Sequence, residues 1–145
     1  MNYKNKIKPL VLILVLITTV SIYFKYSEPA FSDISKVATD IEVNSKELVS
    51  SYILNEKTAN TAYRGKIVEV DGIVKEVTFL NDRNTIILYG SSKHSNVICD
   101  MQLSQAEEVR KLVKGQKIRI KGVCKGFLKD AILLHCILTN TQIDE

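Results

Sequence analysis

The 145-residue chain is poor in the residues that usually do chemistry: it has three cysteines, two histidines and no tryptophan. No C-x-x-C pair occurs, and His135 falls on the opposite strand face from Cys136, so a zinc site is not expected. His94 lies in a polar turn, where a solvated role is the default. No cysteine stands in an evidently electropositive, exposed setting, which argues against a thiol enzyme. Asp71, Asp82, Asp100 and Asp130 are scattered over turns and outward strand positions with nothing to pair them. With no acid/base or nucleophile constellation, the chain reads as a non-enzyme that needs no cofactor and no metal.

Acidic residues are missing from two further places. The first 25 residues carry Lys4, Lys6, Lys8 and Lys25 and no acid. Removing those four from 20 basic residues leaves 16 against 16 acidic ones, a formally neutral remainder that argues against a strongly nucleic-acid-binding domain. The second acid-free stretch, Val109 to Lys129, holds eight basic residues.

What is present begins with a hydrophobic run, Leu10 to Phe24, which follows three lysines and ends in aromatics. At fifteen residues it is short for a span of about 20, but snorkelling of Lys8 and Lys25 extends it. It carries no A-x-A-like cleavage site, and no cysteine follows it for lipoprotein acylation. Residues 1–26 therefore read as an uncleaved signal-anchor, a transmembrane helix in a bacterial inner membrane, with a cleaved signal peptide as the alternative. The basic excess before the run places the N-terminus in the cytoplasm and the domain on the periplasmic or extracytoplasmic side.

Residues 27–43 mix Ser, Pro, Ala and scattered charge, as suits a tether, and Asp40 to Val43 suits a short extended piece. Asn44 with Glu47 forms a capping-box pattern, opening an amphipathic lead-in helix over residues 44–63 whose stripe includes Leu48, Tyr52, Asn55 and Ala59. Residues 64–145 then alternate as strands. Ile67 to Val77 is apolar on both phases with Gly72 at its middle, which predicts a bent strand with a bulge or corner at that glycine. Phe79 to Asn84 reads as a turn, Thr85 to Tyr89 as the second strand, and Val97, Cys99 and Met101 as the inward phase of the third. Ser104 with Glu107 caps a helix bearing Ala106, Val109, Leu112 and Val113, ending at Gly115. Ile118, Ile120, Gly122 and Cys124 form the inward phase of strand four, and Ile132, Leu134, Cys136 and Leu138 that of strand five.

Three strands, a helix and a hairpin give a mainly β fold: a five-stranded OB-fold barrel with a helix between strands three and four, preceded by an amphipathic helix and the N-terminal transmembrane helix. The runs Ala62-Tyr63-Arg64-Gly65-Lys66, Val70-Asp71-Gly72-Ile73-Val74, Lys114-Gly115-Gln116-Lys117-Ile118, Lys121-Gly122-Val123-Cys124-Lys125-Gly126 and Leu134-His135-Cys136 resemble the tRNA-anti-like OB-fold family. Its members are small, often envelope-anchored bacterial proteins. The resemblance implies a fold and no catalytic residues.

Three sets of candidate site residues follow. Lys117, Arg119 and Lys121 form a basic stripe on one strand face, suited to phosphate, an anionic polymer such as a glycan, or an acidic leaflet, unless it is only a solvated strand face. In such a barrel ligands meet strands two and three and the loops joining strands 1-2 and 4-5. Here those loops carry Phe79 with Arg83 and Phe127 with Lys129, while Tyr89 ends strand two, so a base or sugar ring has an aromatic beside a cation in each loop. Cys124 and Cys136, on one inward phase, are placed for a disulfide; a Cys99–Cys136 pairing and three reduced core cysteines are the other readings. The expected function is a membrane-anchored binding or interaction module of unknown ligand, partnered by an envelope protein or an anionic polymer. A single-stranded nucleic-acid-binding module is the alternative.

Overall fold

The computed structural model describes residues 13–23 and 33–141, the side chains of 140 and 141 excepted. Two compact units divide at Ser32. In the first, residues 13–23 are helical (α1), and Ile13, Leu14, Val15, Leu16, Ile17, Val20 and Ile22 are all exposed. Among the described residues no helix is long and apolar enough to cross a membrane. The remainder of the expected anchor, residues 1–12 and 24–26, lies outside the described residues.

The second unit starts at Asp33, inside the stretch expected to be a tether. A single 3-10 turn, Ile34–Lys36, leads to β1 (Ile41–Asn44), which pairs in parallel with the first barrel strand. The expected lead-in helix is two helices, α2 (Ser45–Leu54) and α3 (Glu56–Tyr63). Asn44 caps the first by accepting from the Lys46 amide at 2.9 Å. Asn55 is not part of a continuous stripe: its backbone is extended and its side chain caps α3 by accepting from the Thr58 amide at 3.0 Å. An Asn is well suited to this break, because its short carbonyl competes with the helix for the first free amides.

Five strands close the barrel: β2 (Ile67–Leu80), β3 (Arg83–Tyr89), β4 (Asn96–Met101), β5 (Lys117–Phe127) and β6 (Ala131–Thr141). The order is β2-β3-β4-β6-β5, with β5 returning to β2. β2 serves two sides as expected: Ile67 to Ile73 pair with β5, and Val74 to Leu80 with β3. The irregularity lies at Lys75, between Val74 and Glu76, and not at Gly72. Gly72 answers a different need, since a Cβ there would lie 2.8 Å from Leu88 Cδ1 and 2.9 Å from Ser45 Oγ. The turn expected over residues 79–84 shrinks to Asn81-Asp82, both at positive φ (49° and 60°). Two such residues match the right-handed twist of a tight hairpin, so Phe79 stays in β2 and Arg83 in β3.

Both mouths of the barrel are plugged. α2 reaches β1, β2, β3, β4 and β6, and α3 reaches β5. Leu48, Val49, Tyr52 and Ala59 thereby join the core formed by Val68, Val70, Val74, Ile86, Leu88, Val97, Cys99, Met101, Ile118 and Ile120. At the opposite end of β3 lies α4 (Ala106–Arg110), a short helix that contributes Val109, with Leu112 just beyond it. The Ser104–Glu107 capping box does not form: a 3-10 turn, Leu103–Gln105, precedes α4, no side chain caps either, and Val113 is exposed.

β6 corrects the expected phase. Ala131 and Leu133, not Ile132 and Leu134, are fully buried before His135, and Cys136 is buried after it. His135 has φ 56°, and two steps along β4 (Cys99 to Met101) match three along β6 (Leu133 to Cys136). This extra residue turns every following side chain to the other face.

Outside the barrel a second small core forms. Ile34, Ile67, Val123 and Ile137 are buried, yet none belongs to the main cluster. Ile67 pairs with Val123, Lys121 pairs with Ile137, and the 3-10 turn bearing Ile34 packs on β6. Residues 33–40 thus form a strap over the outer face of β5. Asp40 secures it twice, donating its amide to the Ile67 carbonyl at 2.9 Å and accepting from the Ile67 amide at 2.8 Å.

Candidate binding face

The strap decides the fate of the expected basic stripe. Lys121 is 6% exposed and its Nζ donates to the Val37 carbonyl of the strap. Arg119 is held in a fork by Asp71, at 2.8 Å and 3.1 Å, with Glu69 3.6 Å away. The hydrogen bonds that Arg119 donates to Asp71 raise the pKa of the guanidinium above its ordinary value. Lys117 alone of the three stays exposed, with no ion pair among the described residues. A continuous anion-binding stripe is therefore absent from β5, because two acids of β2 and a backbone carbonyl already occupy it. Glu69 and Asp71 face Lys121 and Arg119 across the ladder; their shared phase in the sequence was the signal for cross-strand charge pairing.

Phe127 is likewise committed to the fold. Its ring stacks on Tyr52 with centroids 5.2 Å apart and planes 7° from parallel, sealing the α2 end of the barrel. Tyr52 donates to, or accepts from, the Cys124 thiol at 3.4 Å. Burial and that thiol push the phenol well above its ordinary value. All three cysteines are buried and free. The Cys124–Cys136 pairing fails because the His135 insertion shifts the register: Cys124 lies opposite Leu133 of β6, whereas Cys136 lies opposite Met101 of β4. Burial first, then Cys99, pushes the Cys136 thiol up.

Of the remaining predicted residues, Arg83 and Tyr89 lie on the outer phase of β3, whereas Phe79 pairs with the buried Asn84 and so belongs to the inward phase, at the α4 mouth of the barrel. At one end Arg83 pairs with Asp100, and the Arg110 guanidinium lies 5.8 Å from the centroid of the half-exposed Phe79 ring. At the other, Lys75 Nζ lies 5.8 Å from the centroid of the Tyr89 ring and donates to Asn96 Oδ1 at 3.0 Å. Asp130 then accepts from the Asn96 amide at 2.7 Å and from its Nδ2 at 3.1 Å. This chain of bonds ties the β2 bulge, the end of β3, the start of β4 and the β5–β6 turn into one corner, with exposed Lys129 beside it. Between the two ends Ile87, Ile98 and Ile132 stand side by side, each half-buried. The outer face is thus an apolar row with Tyr89 and Lys75 at one end and the Arg83–Asp100 pair at the other. Lys75, Asn96 and Asp130 were not legible beforehand, since only the bulge and the strand pairing bring them to Tyr89. Among the described residues no three acid, histidine or cysteine side chains are placed to hold a metal ion.

A five-stranded closed barrel with a helix between its third and fourth strands is an OB-fold. Within that class the chain belongs to the tRNA_anti-like family, whose model matches residues 1–138. Among solved structures it is similar to a candidate nucleic acid-binding lipoprotein from Klebsiella pneumoniae subsp. pneumoniae MGH 78578, with TM-score 0.55 and 14% identity over 78% of this chain and 100% of that one. A candidate aspartyl-tRNA synthetase from Leishmania major Friedlin gives TM-score 0.49 and 7% identity over 88% of this chain and 27% of that one. The S. pombe Stn1-ten1 complex gives TM-score 0.41 and 8% identity over 51% and 58%. No curated protein matches the chain.

Proposed function

We propose that this chain is a non-catalytic OB-fold binding module, held to a bacterial inner membrane by its N-terminal segment, with the barrel on the extracytoplasmic side and its ligand laid across β3 and β4. The observation that carries the reading is the contrast between two outer faces. The β5 face is strapped over and Arg119 and Lys121 are engaged within the fold, while the β3–β4 face keeps a half-exposed apolar row with Tyr89 and Lys75 at one end and Arg83 at the other. Such a face takes an extended polymer or an envelope protein segment, with rings stacking and cations at the margins. The membrane tether is supported by the lysine-led apolar run and by the exposed aliphatic side chains of α1.

The test is capture of partners by the intact chain from solubilised membranes, compared with a Tyr89→Ala variant. Loss of an aromatic platform worth about 1–3 kcal/mol per ring weakens binding at least about fivefold. Equal capture by both proteins refutes the assignment of the face, and full recovery of the chain in the soluble fraction refutes the tether. A second reading, single-stranded nucleic acid on the same face, is favoured by the Lys75 ammonium over Tyr89. It requires salt-dependent binding of an oligonucleotide that Lys75→Ala and Tyr89→Ala both weaken.

A further inference from the structure

Two of the sequence runs singled out above, Tyr63-Arg64-Gly65-Lys66 and Cys124-Lys125-Gly126, meet at the α2–α3 end of the barrel. Gly65 donates to the Cys124 carbonyl at 2.7 Å, and Cys124 donates to the Lys66 carbonyl at 3.0 Å. The β2–β5 ladder is thereby prolonged by one step, with Cys124 opposite Gly65 and Lys66, and Lys125 following it. Lys125 is the extra residue between Cys124 and Gly126 where the β5–β6 register shifts. A Cβ on Gly126 would sit 3.9 Å from Arg64 Cδ, so Arg64 shares the same surface.

Elsewhere on the barrel unit Lys36, Arg83, Lys111 and Arg119 each have a carboxylate within reach. Arg64 and Lys66 have none among the described residues. Beside them an open hollow on α3 is lined by Glu56, Lys57, Asn60 and Thr61.

This end also carries the most exposed large apolar side chains of the barrel unit. Leu54, at the end of α2, is 84% exposed, and Ile53 before it 53%. Leu128, next to the Phe127 that stacks on α2, is 85% exposed. Aliphatic side chains projecting beside Arg64 and Lys66 are what an anionic lipid surface takes: the apolar groups enter the headgroup boundary, and the cations meet phosphate. A single-stranded polymer fits less well, because Tyr52, Tyr63 and Phe127 are turned on one another and offer no stacking platform here.

We propose that the α2–α3 end of the barrel is a membrane-docking face, which seats Leu54 and Leu128 in an anionic leaflet with Arg64, Lys66 and Lys57 on its lipid phosphates. The inference rests on the tethered reading above, which brings the barrel to a bilayer, but is read separately from it. It is tested with the full chain reconstituted into vesicles of phosphatidylcholine alone or with about one third phosphatidylglycerol. An environment-sensitive dye is placed at Leu54→Cys or Leu128→Cys, and at Ser92→Cys as a control; the three native cysteines are buried and resist labelling.

The expected result is a blue shift of the dye at 54 and 128, and quenching by lipid-borne quenchers, in the anionic vesicles only. The shift should be lost in Arg64→Glu/Lys66→Glu and reduced at least severalfold in 0.5 M salt. Dye that stays in water in both vesicle types overturns the proposal, as does an equal shift in the charge-reversed chain. A response to millimolar inorganic phosphate without vesicles, matching that to anionic vesicles, overturns the lipid assignment in favour of a free-anion site. Failure of the chain to float with the phosphatidylcholine vesicles counts against the tether alone, since docking is read from the difference between the two lipids.

Discussion

Replacing Ile34 by alanine tests whether the strap is part of the fold. Ile34 is fully buried although it lies seven residues before the first strand and outside the barrel core. Truncating a buried Ile to Ala costs about 2–5 kcal/mol, the upper values belonging to sites that cannot collapse. The strap is one layer thick and backed by water, so its site collapses or hydrates readily and the cost falls near about 2–3 kcal/mol. For a unit of this size that is a fall in Tm of about 8–12 °C. The loss should be local first. The Ile67 amide, held by Asp40 Oδ2, and the Asp40 amide, held by the Ile67 carbonyl, should exchange hydrogen faster, while the Val97 amide of β4 keeps its protection until global unfolding. Differential scanning calorimetry with hydrogen exchange reads both effects. Ile53→Ala, at a half-exposed position, is the control and should stay within about 0.5 kcal/mol of wild type. A fall in Tm under about 2 °C for Ile34→Ala, or no change at Ile67, would refute the reasoning, and the strap would then be no more than the end of a tether.

Two other outcomes follow from the core. Gly122→Ala places a Cβ 2.5 Å from Cys136 Sγ and 3.2 Å from Leu133 Cβ, and should destabilise by about 1–3 kcal/mol in urea melts; adding Cys136→Ala should recover part of the loss, and a neutral single variant would contradict the packing. In alkali, the Tyr52 phenol and Cys136 thiol both have their pKa raised in the folded state, so the unfolded chain gives up these protons first. Their contribution is complete below the ordinary thiol range and is lost as pH climbs through and beyond the ordinary thiol and phenol values. Denaturation midpoints should fall above about pH 9, and Tyr52→Phe should flatten the phenol part of that fall; midpoints unchanged up to pH 11 would count against both burials.

Residue periodicity alone determined the barrel. The inward phases of β3 and β4 are written as strict alternation, because a strand between core and solvent exchanges faces at every residue, whereas β2 is apolar on both phases because it serves two sides of the barrel. Asn44 marked the start of α2 for the same local reason, and the motif runs carried the family. Tertiary structure decided what alternation cannot encode. A residue at positive φ, His135, reversed the phase of β6 and separated Cys124 from Cys136, and nothing in the apolar pattern marks where an extra residue will be absorbed. The strap turned Lys121 from a solvent-facing cation into a buried one, and the β2–β5 ladder matched Arg119 to Asp71. Both changes come from residues 48 or more positions away, so they follow from which surfaces meet after the sheet closes and not from the order of side chains along any one strand.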